Sequence, residues 1–137
     1  MLTAAHKFGF EKEVQLHSRL EAALEEPITK NNPRYEQYDY QSAYWNIELK
    51  SRRATDKFGR PLLPTTNKTW LLPTSKKPKN DDKETVFFYF FEADKSLWYI
   101  TYDEDLFNTF AVDCPGWHPT QQQHWFVPAE CWTLLEN

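Results

Sequence analysis

Six consecutive aromatic or aliphatic residues, Val86-Phe87-Phe88-Tyr89-Phe90-Phe91, constrain this chain more than any other stretch. A short apolar run of this composition, bounded by turn signals, reads as a strand of the core. A turn at Ala93-Asp94-Lys95-Ser96 and a return strand over residues 97–102 follow it. The core is therefore built on a sheet, and the remaining elements must pack on it.

Residues 9–26 read as an amphipathic helix. At 100° per residue with Leu20 at zero, Phe10, Leu16, His17, Ala23 and Leu24 gather on one face. Glu13 lies at about 20°, near the centre of that apolar stripe, whereas Glu11 points away and Glu21 sits on its edge. Pro27 ends the helix. Asn31-Asn32-Pro33-Arg34 is a turn, and residues 35–39 are a short extended segment. A tight bend near Gln41 and Ser42 leads into a strand over residues 44–52. Its alternation sends Trp45, Ile47 and Leu49 to one face and Asn46, Glu48 and Lys50 to the other.

Residues 53–83, rich in Pro, Lys, Thr and Asn, read as a long, partly ordered loop around one short element at residues 69–72. Asp103 caps a short helix over residues 103–110. A loop over 113–123 precedes a last strand at 125–127, and Pro128 opens a closing helix over 128–135. The order helix, strands, loop, strands, helix predicts a single α/β domain with helices packed on a sheet.

A length of 137 residues suits one domain with one core. No apolar run approaches the ~20 residues needed to span a bilayer, so no membrane partner is expected. The N-terminus lacks a signal peptide's basic start and apolar stretch, which predicts a cytoplasmic protein. Cys114 and Cys131 do not make a disulfide framework and read as free thiols. The formal net charge of −4 hides an uneven distribution: residues 1–49 carry −3, residues 50–79 carry +8 and residues 80–137 carry −9. A basic block inside an acidic chain is suited to gripping a phosphate backbone locally. Read blandly, it is a solvated loop.

The basic block begins at Lys50, and Glu48 and Lys50 share one strand face while the opposite face packs inward. Asp39 lies upstream, where the chain bends into this strand. Two carboxylates can bracket a Mg²⁺ or Mn²⁺ ion, which prefers hard oxygen ligands. Such an ion acidifies bound water and stabilises charge on a phosphate, and a neighbouring lysine can orient the attacking water. Glu13, a carboxylate on an apolar helix face, demands a partner. Lys76 and Lys77 are further candidates for phosphate or active-site contacts. Arg52 continues the Glu48 and Lys50 face, and Arg53 points the other way.

The helix with Glu13, then Tyr38-Asp39, then Ile47-Glu48-Leu49-Lys50-Ser51-Arg52, resembles the PD-(D/E)XK nuclease superfamily. The later sheet strands and Phe126-Val127-Pro128 resemble the rest of its small phage- and virus-encoded members. Tyr38 stands where the motif has proline. The resemblance implies a restriction-endonuclease-like fold, a central mixed sheet flanked by helices. It implies a Mg²⁺-dependent deoxyribonuclease in which Asp39, Glu48 and Glu13 hold the metal and Lys50 assists the attacking water. DNA is the implied partner, with Arg52, Arg53, Lys76 and Lys77 on its phosphates. A homodimer or structure-selective cutting is also implied, because no separate target-recognition segment is present.

Three other readings stay open. Cys114, His118, His124 and Cys131 form a candidate zinc set, although their spacing lacks a Cys-x₂-Cys hook. Tyr35, Tyr38, Tyr40 and Tyr44 could stack single-stranded bases in a non-catalytic binding protein. A degenerate nuclease fold could serve a structural role.

Overall fold

The computed structural model describes residues 4–32, 37–78 and 83–135, with side chains except those of Ala5, His6 and Phe10. The chain runs α1 (Ala4–Leu24), β1 (Thr29–Lys30), β2 (Tyr40–Gln41), β3 (Trp45–Arg52), β4 (Thr69–Pro73), β5 (Glu84–Phe91) and β6 (Ser96–Thr101). It continues through α2 (Glu104–Asn108), β7 (Ala111–Asp113), β8 (Gln123–Pro128) and β9 (Thr133–Leu134). Single 3-10 turns lie at Thr74–Lys76 and Ala129–Cys131.

The aromatic run is the centre of the molecule. From Thr85 to Phe91 every residue of β5 is buried. Because strand side chains alternate, such a strand needs cover on both faces. Val86, Phe88 and Phe90 pack with Ile47 and Leu49 of β3 and with Leu16 and Leu20 of α1. Phe87, Tyr89 and Phe91 pack with Trp70, Leu72, Phe107, Trp125 and Val127. Trp70 is the hub of this second face, with ring centroids 4.8 Å from Phe91 and 5.1 Å from Trp132.

The larger sheet has the order β1-β2-β3-β5-β6-β9, and the smaller has the order β4-β8-β7. β3 and β5 are parallel over their whole length, from Trp45 opposite Glu84 to Arg52 opposite Phe91, and the other pairings are antiparallel. The result is a single α/β domain with a mixed sheet. One face is covered by α1. The other is covered by the second sheet and the short α2, where the sequence predicts helices. No helix among the described residues is long and apolar enough to cross a membrane.

Most elements follow their local chemistry. α1 buries Leu16 and Leu20, as its periodicity predicts, but begins at Ala4 and stops at Leu24. Glu25 leaves the helix with φ +56°, ahead of Pro27. Ser42 closes the β2–β3 bend, its hydroxyl accepting from the Trp45 N–H at 3.0 Å. The Asp103 side chain caps α2 by accepting from the Leu106 N–H at 3.1 Å. The expected loop over 53–83 is a crossover that carries β4 into the second sheet. Of the expected extended segment at 35–39, residues 35 and 36 lie outside the described residues, and residues 37–39 form a bend, not a strand.

The predicted closing helix over 128–135 is a correction. Only the turn Ala129–Cys131 is helical, and Thr133–Leu134 joins the larger sheet as β9. Trp98 opposite Leu134, with the Leu135 N–H donating to the Leu97 carbonyl at 2.8 Å, draws the chain into pairing. Edge pairing overrides the helix signal at Pro128.

Removing a large side chain from the two-sided strand leaves a cavity that neither layer can refill. Phe87→Ala is expected to destabilise the fold by about 3–5 kcal/mol in denaturant titrations. Val14→Ala, at a residue 60% exposed, should change stability by less than about 0.5 kcal/mol.

Candidate active site

Glu48 is the anomaly of β3. It is only 3% exposed, yet it lies on the face that turns towards the second sheet. Burying a carboxylate costs several kcal/mol unless charges or hydrogen bonds replace its water. Lys76, in the 3-10 turn after β4, supplies one partner, its Nζ 3.1 Å from Glu48 Oε2. The second oxygen, Oε1, is buried and meets no N–H or hydroxyl donor among the described residues, while the Glu48 carboxyl shares a hydrogen bond with that of Asp39. Burial and the neighbouring Asp39 carboxyl push the Glu48 pKa up to about 8, against the opposing pull of Lys76 and Lys50.

Asp39 stands opposite Glu48, one residue before the Tyr40–Ile47 pair of the β2–β3 ladder. Its Oδ2 accepts from the Leu49 N–H at 2.8 Å, which pins the carboxylate to β3. Asp39 also faces Glu13 of α1. Glu13 is pushed up to about 7 by partial burial and by Asp39, while Lys30 opposes the shift. Lys30, at the end of β1, forms an ion pair with Glu13. The three carboxylates thus run in a chain, Glu13 to Asp39 to Glu48, with Lys30 at one end and Lys50 and Lys76 at the other.

The basic turn is clasped from the opposite segment. Gln37 Nε2 donates to the carbonyls of Ser75 (2.7 Å) and Lys77 (2.9 Å). Tyr38 Oη donates to the Lys76 carbonyl at 2.8 Å, and the Lys76 ammonium donates back to the Gln37 carbonyl. Residues 37–39 therefore hold Lys76 over Glu48 while presenting Asp39.

The structure brings together Glu13, Asp39, Glu48, Lys50 and Lys76. It does not bring the other candidate cations to the same place. Lys77 faces Glu104 at 3.6 Å, and both are exposed. Arg52 lies over the Tyr89 ring at 5.6 Å, and Arg53 over Phe8 at 5.7 Å. Tyr38 and Tyr40 are buried and have no ring face for a base, whereas Tyr44 is exposed. Cys114 is buried and Cys131 partly so, both as free thiols. His118 lies in an exposed loop, where its Nδ1 accepts from the Thr120 and Gln121 N–H groups.

Lys30, Gln37 and His124 belong to this neighbourhood without having been singled out for it by the sequence. The pKa of His124 is lowered by burial and by Lys50, and its Nδ1 is buried without a partner. No spacing rule joins Lys50 to a histidine on the second sheet. For Lys30, the cue was Glu13 itself, an acid on an apolar face in need of a cation.

Among the described residues, no group of three or more His, Cys, Asp and Glu side chains is arranged to hold a metal ion. Asp39 and Glu48 supply two neighbouring carboxylates. Mg²⁺ commonly takes only one or two carboxylates and completes its octahedron with water and substrate phosphate. Compared with protein-family models, curated proteins and solved structures, the chain matches none.

The raised Glu48 pKa has a definite consequence for stability. Folding favours protonated Glu48, so wild-type stability falls as pH rises from about 4.5 towards 8 and levels off above that. Glu48→Gln carries no such charge. In metal-free buffer its Tm should exceed that of wild type by about 3–6 °C above pH 8. The gap should shrink towards zero near pH 4.5. A pH-independent gap would show that Glu48 is ionised and satisfied throughout.

Proposed function

We propose that the protein is a metal-dependent DNA nuclease with a restriction-endonuclease-like fold. The observation that carries this reading is the convergence of Asp39 and the buried, half-satisfied Glu48 beside Lys50, with Glu13 behind Asp39. Packing alone does not call for three carboxylates in contact along one sheet edge. Asp39 and Glu48 are the residues that would hold Mg²⁺ or Mn²⁺, with Glu13 completing the cluster through Asp39. The ion would supply a Lewis acid that polarises the scissile phosphate and acidifies a water.

The chain's own groups have separable roles. The Leu49 N–H fixes the Asp39 carboxylate, and β3 fixes Glu48 and Lys50 on one face, so all three are positioned by rigid backbone. Lys50 orients the attacking water and offsets charge building on the phosphate. Lys76 keeps Glu48 oriented through Oε2 and leaves Oε1 for the cation. The +8 segment over residues 50–79 draws the DNA backbone towards this edge.

One observation favours a second reading. Lys76 already gives the buried carboxylate a cationic partner, as a non-catalytic nucleic-acid-binding protein would require. The two separate cleanly in a cleavage assay on duplex, flap, junction and single-stranded DNA with Mn²⁺. For the nuclease, Asp39→Asn, Glu48→Gln and Lys50→Ala should each lower cleavage by about 10²-fold or more while retaining cooperative unfolding. Ca²⁺ should support binding without cutting. Undiminished cleavage in any of the three variants sinks the assignment. For the binding protein, no metal gives cleavage and Glu48→Ala binds DNA as well as wild type or better.

A further inference from the structure

The segment that joins β7 to β8 and runs on through β8 differs in chemistry from its surroundings. Residues 114–129 contain no Asp, Glu, Lys or Arg, although residues 80–137 together carry −9. Aromatic rings and side-chain amides take their place. Strand alternation sorts the rings of β8. Trp125 and Val127 face inward to β5, so His124 and Phe126 face outward. Trp117, from the loop, lies against both, with ring centroids 5.7 Å from His124 and 6.0 Å from Phe126. It remains 60% exposed.

The backbone of the loop also holds Trp117 in place. The Cys114 N–H donates to the Gln122 carbonyl at 2.7 Å, and the Trp117 N–H donates to the Cys114 carbonyl at 3.2 Å. Gly116 makes the turn with φ +82°, a conformation that favours glycine. His118 Nδ1 accepts from the Thr120 and Gln121 N–H groups, both at 3.1 Å, and closes the tip. A ring fixed in this way loses little freedom when a flat partner stacks on it.

This ring cluster adjoins the carboxylate edge. His124 lies opposite Pro73, three residues before Lys76. Thr74 Oγ1 donates to the Gln123 carbonyl at 3.3 Å. Burial and the Lys50 ammonium hold the His124 pKa below the ordinary imidazole value, so the ring is uncharged at neutral pH and lies within electrostatic reach of Lys50. Between the loop and the Lys76 turn lies a polar pocket of about 610 Å³, whose lining includes Thr74, Ser75, Gln121, Gln122 and Gln123. The Asp113 carboxylate at its wall accepts from Gln123 Nε2 at 3.1 Å. Rings that stack on a base, amides that reach its edge and lysines that take the phosphates are the groups that bind unpaired nucleotides. A base inside a duplex offers neither its face nor its pairing edge.

We propose that the β7–β8 loop binds an unpaired nucleobase stacked on Trp117, so that the strand presented to the carboxylate edge is single-stranded there. The inference rests on DNA being the partner and adds the class of substrate. A second copy of the chain is the other partner an uncharged aromatic surface can take. The lysines beside this one favour a nucleic-acid strand.

The test is binding without chemistry. Affinity of the full chain would be measured in EDTA, across a salt series, for labelled oligothymidylate and for a duplex of equal length. Trp117→Ala should weaken single-strand binding by about 5–100-fold. It should leave the salt slope unchanged, because no phosphate contact is lost. Trp117→Phe, which keeps a ring face, should stay within about 3-fold of wild type. Duplex binding should be the same in all three proteins. Trp117 is exposed, so both variants should keep the wild-type Tm. Undiminished single-strand binding by Trp117→Ala, an equal loss on duplex, or a wild-type dimer that Trp117→Ala turns into monomer overturns the platform. Failure of the underlying reading looks different. Wild type that binds neither DNA overturns the partner and the platform together, whereas wild type that binds but never cuts overturns the nuclease alone.

Discussion

The burial of β5 on both faces is the constraint on which the rest depends. Val86, Phe88 and Phe90 commit one face to α1, and Phe87, Tyr89 and Phe91 commit the other to a second sheet. A strand placed this way accepts a parallel neighbour, β3, because both of its edges lie inside the larger sheet. Parallel pairing in turn requires a long crossover. Here the crossover is not a helix. It donates β4 to the second sheet and then forms the turn that carries Lys76. The position of a lysine over Glu48 is thus a topological result of six apolar residues elsewhere in the chain.

The carboxylate edge shows how the fold tolerates concentrated charge. Glu13 and Glu48 each face the repelling Asp39 carboxyl and an attracting lysine. Glu13 is set between Asp39 and Lys30, and Glu48 between Asp39 and Lys76. Asp39 is the shared member, and the Leu49 N–H steadies it. Glu48 also shares a hydrogen bond with the Asp39 carboxyl, so a proton held between the two offsets part of the repulsion.

Local chemistry was legible wherever a single segment settles it. The β5 run, the Asp103 cap, the α1 stripe and the common face of Glu48 and Lys50 follow from periods of 2 and 3.6 residues. The need for a partner at Glu13 was also legible. What could not be read was anything fixed by pairing between distant segments. Leu134 leaves its helical pattern because Trp98 offers an edge. Lys76 looks like any loop lysine until Gln37 and Tyr38 clasp its turn. The second sheet was hidden because β4 lies far in sequence from β7 and β8, and β7 is only three residues long.

The register of β4 on β8, Trp70 opposite Val127 and Leu72 opposite Trp125, has a consequence for how the molecule matures. Every carboxylate of the edge is encoded within the first 48 positions, whereas β8 comes last but one among the strands. During synthesis, N-terminal segments emerge and begin to fold first. The acidic residues are therefore made before β8, whose pairing with β4 seats the Lys76 turn. The Lys76–Glu48 pair thus depends on a strand synthesised well after both of its own residues.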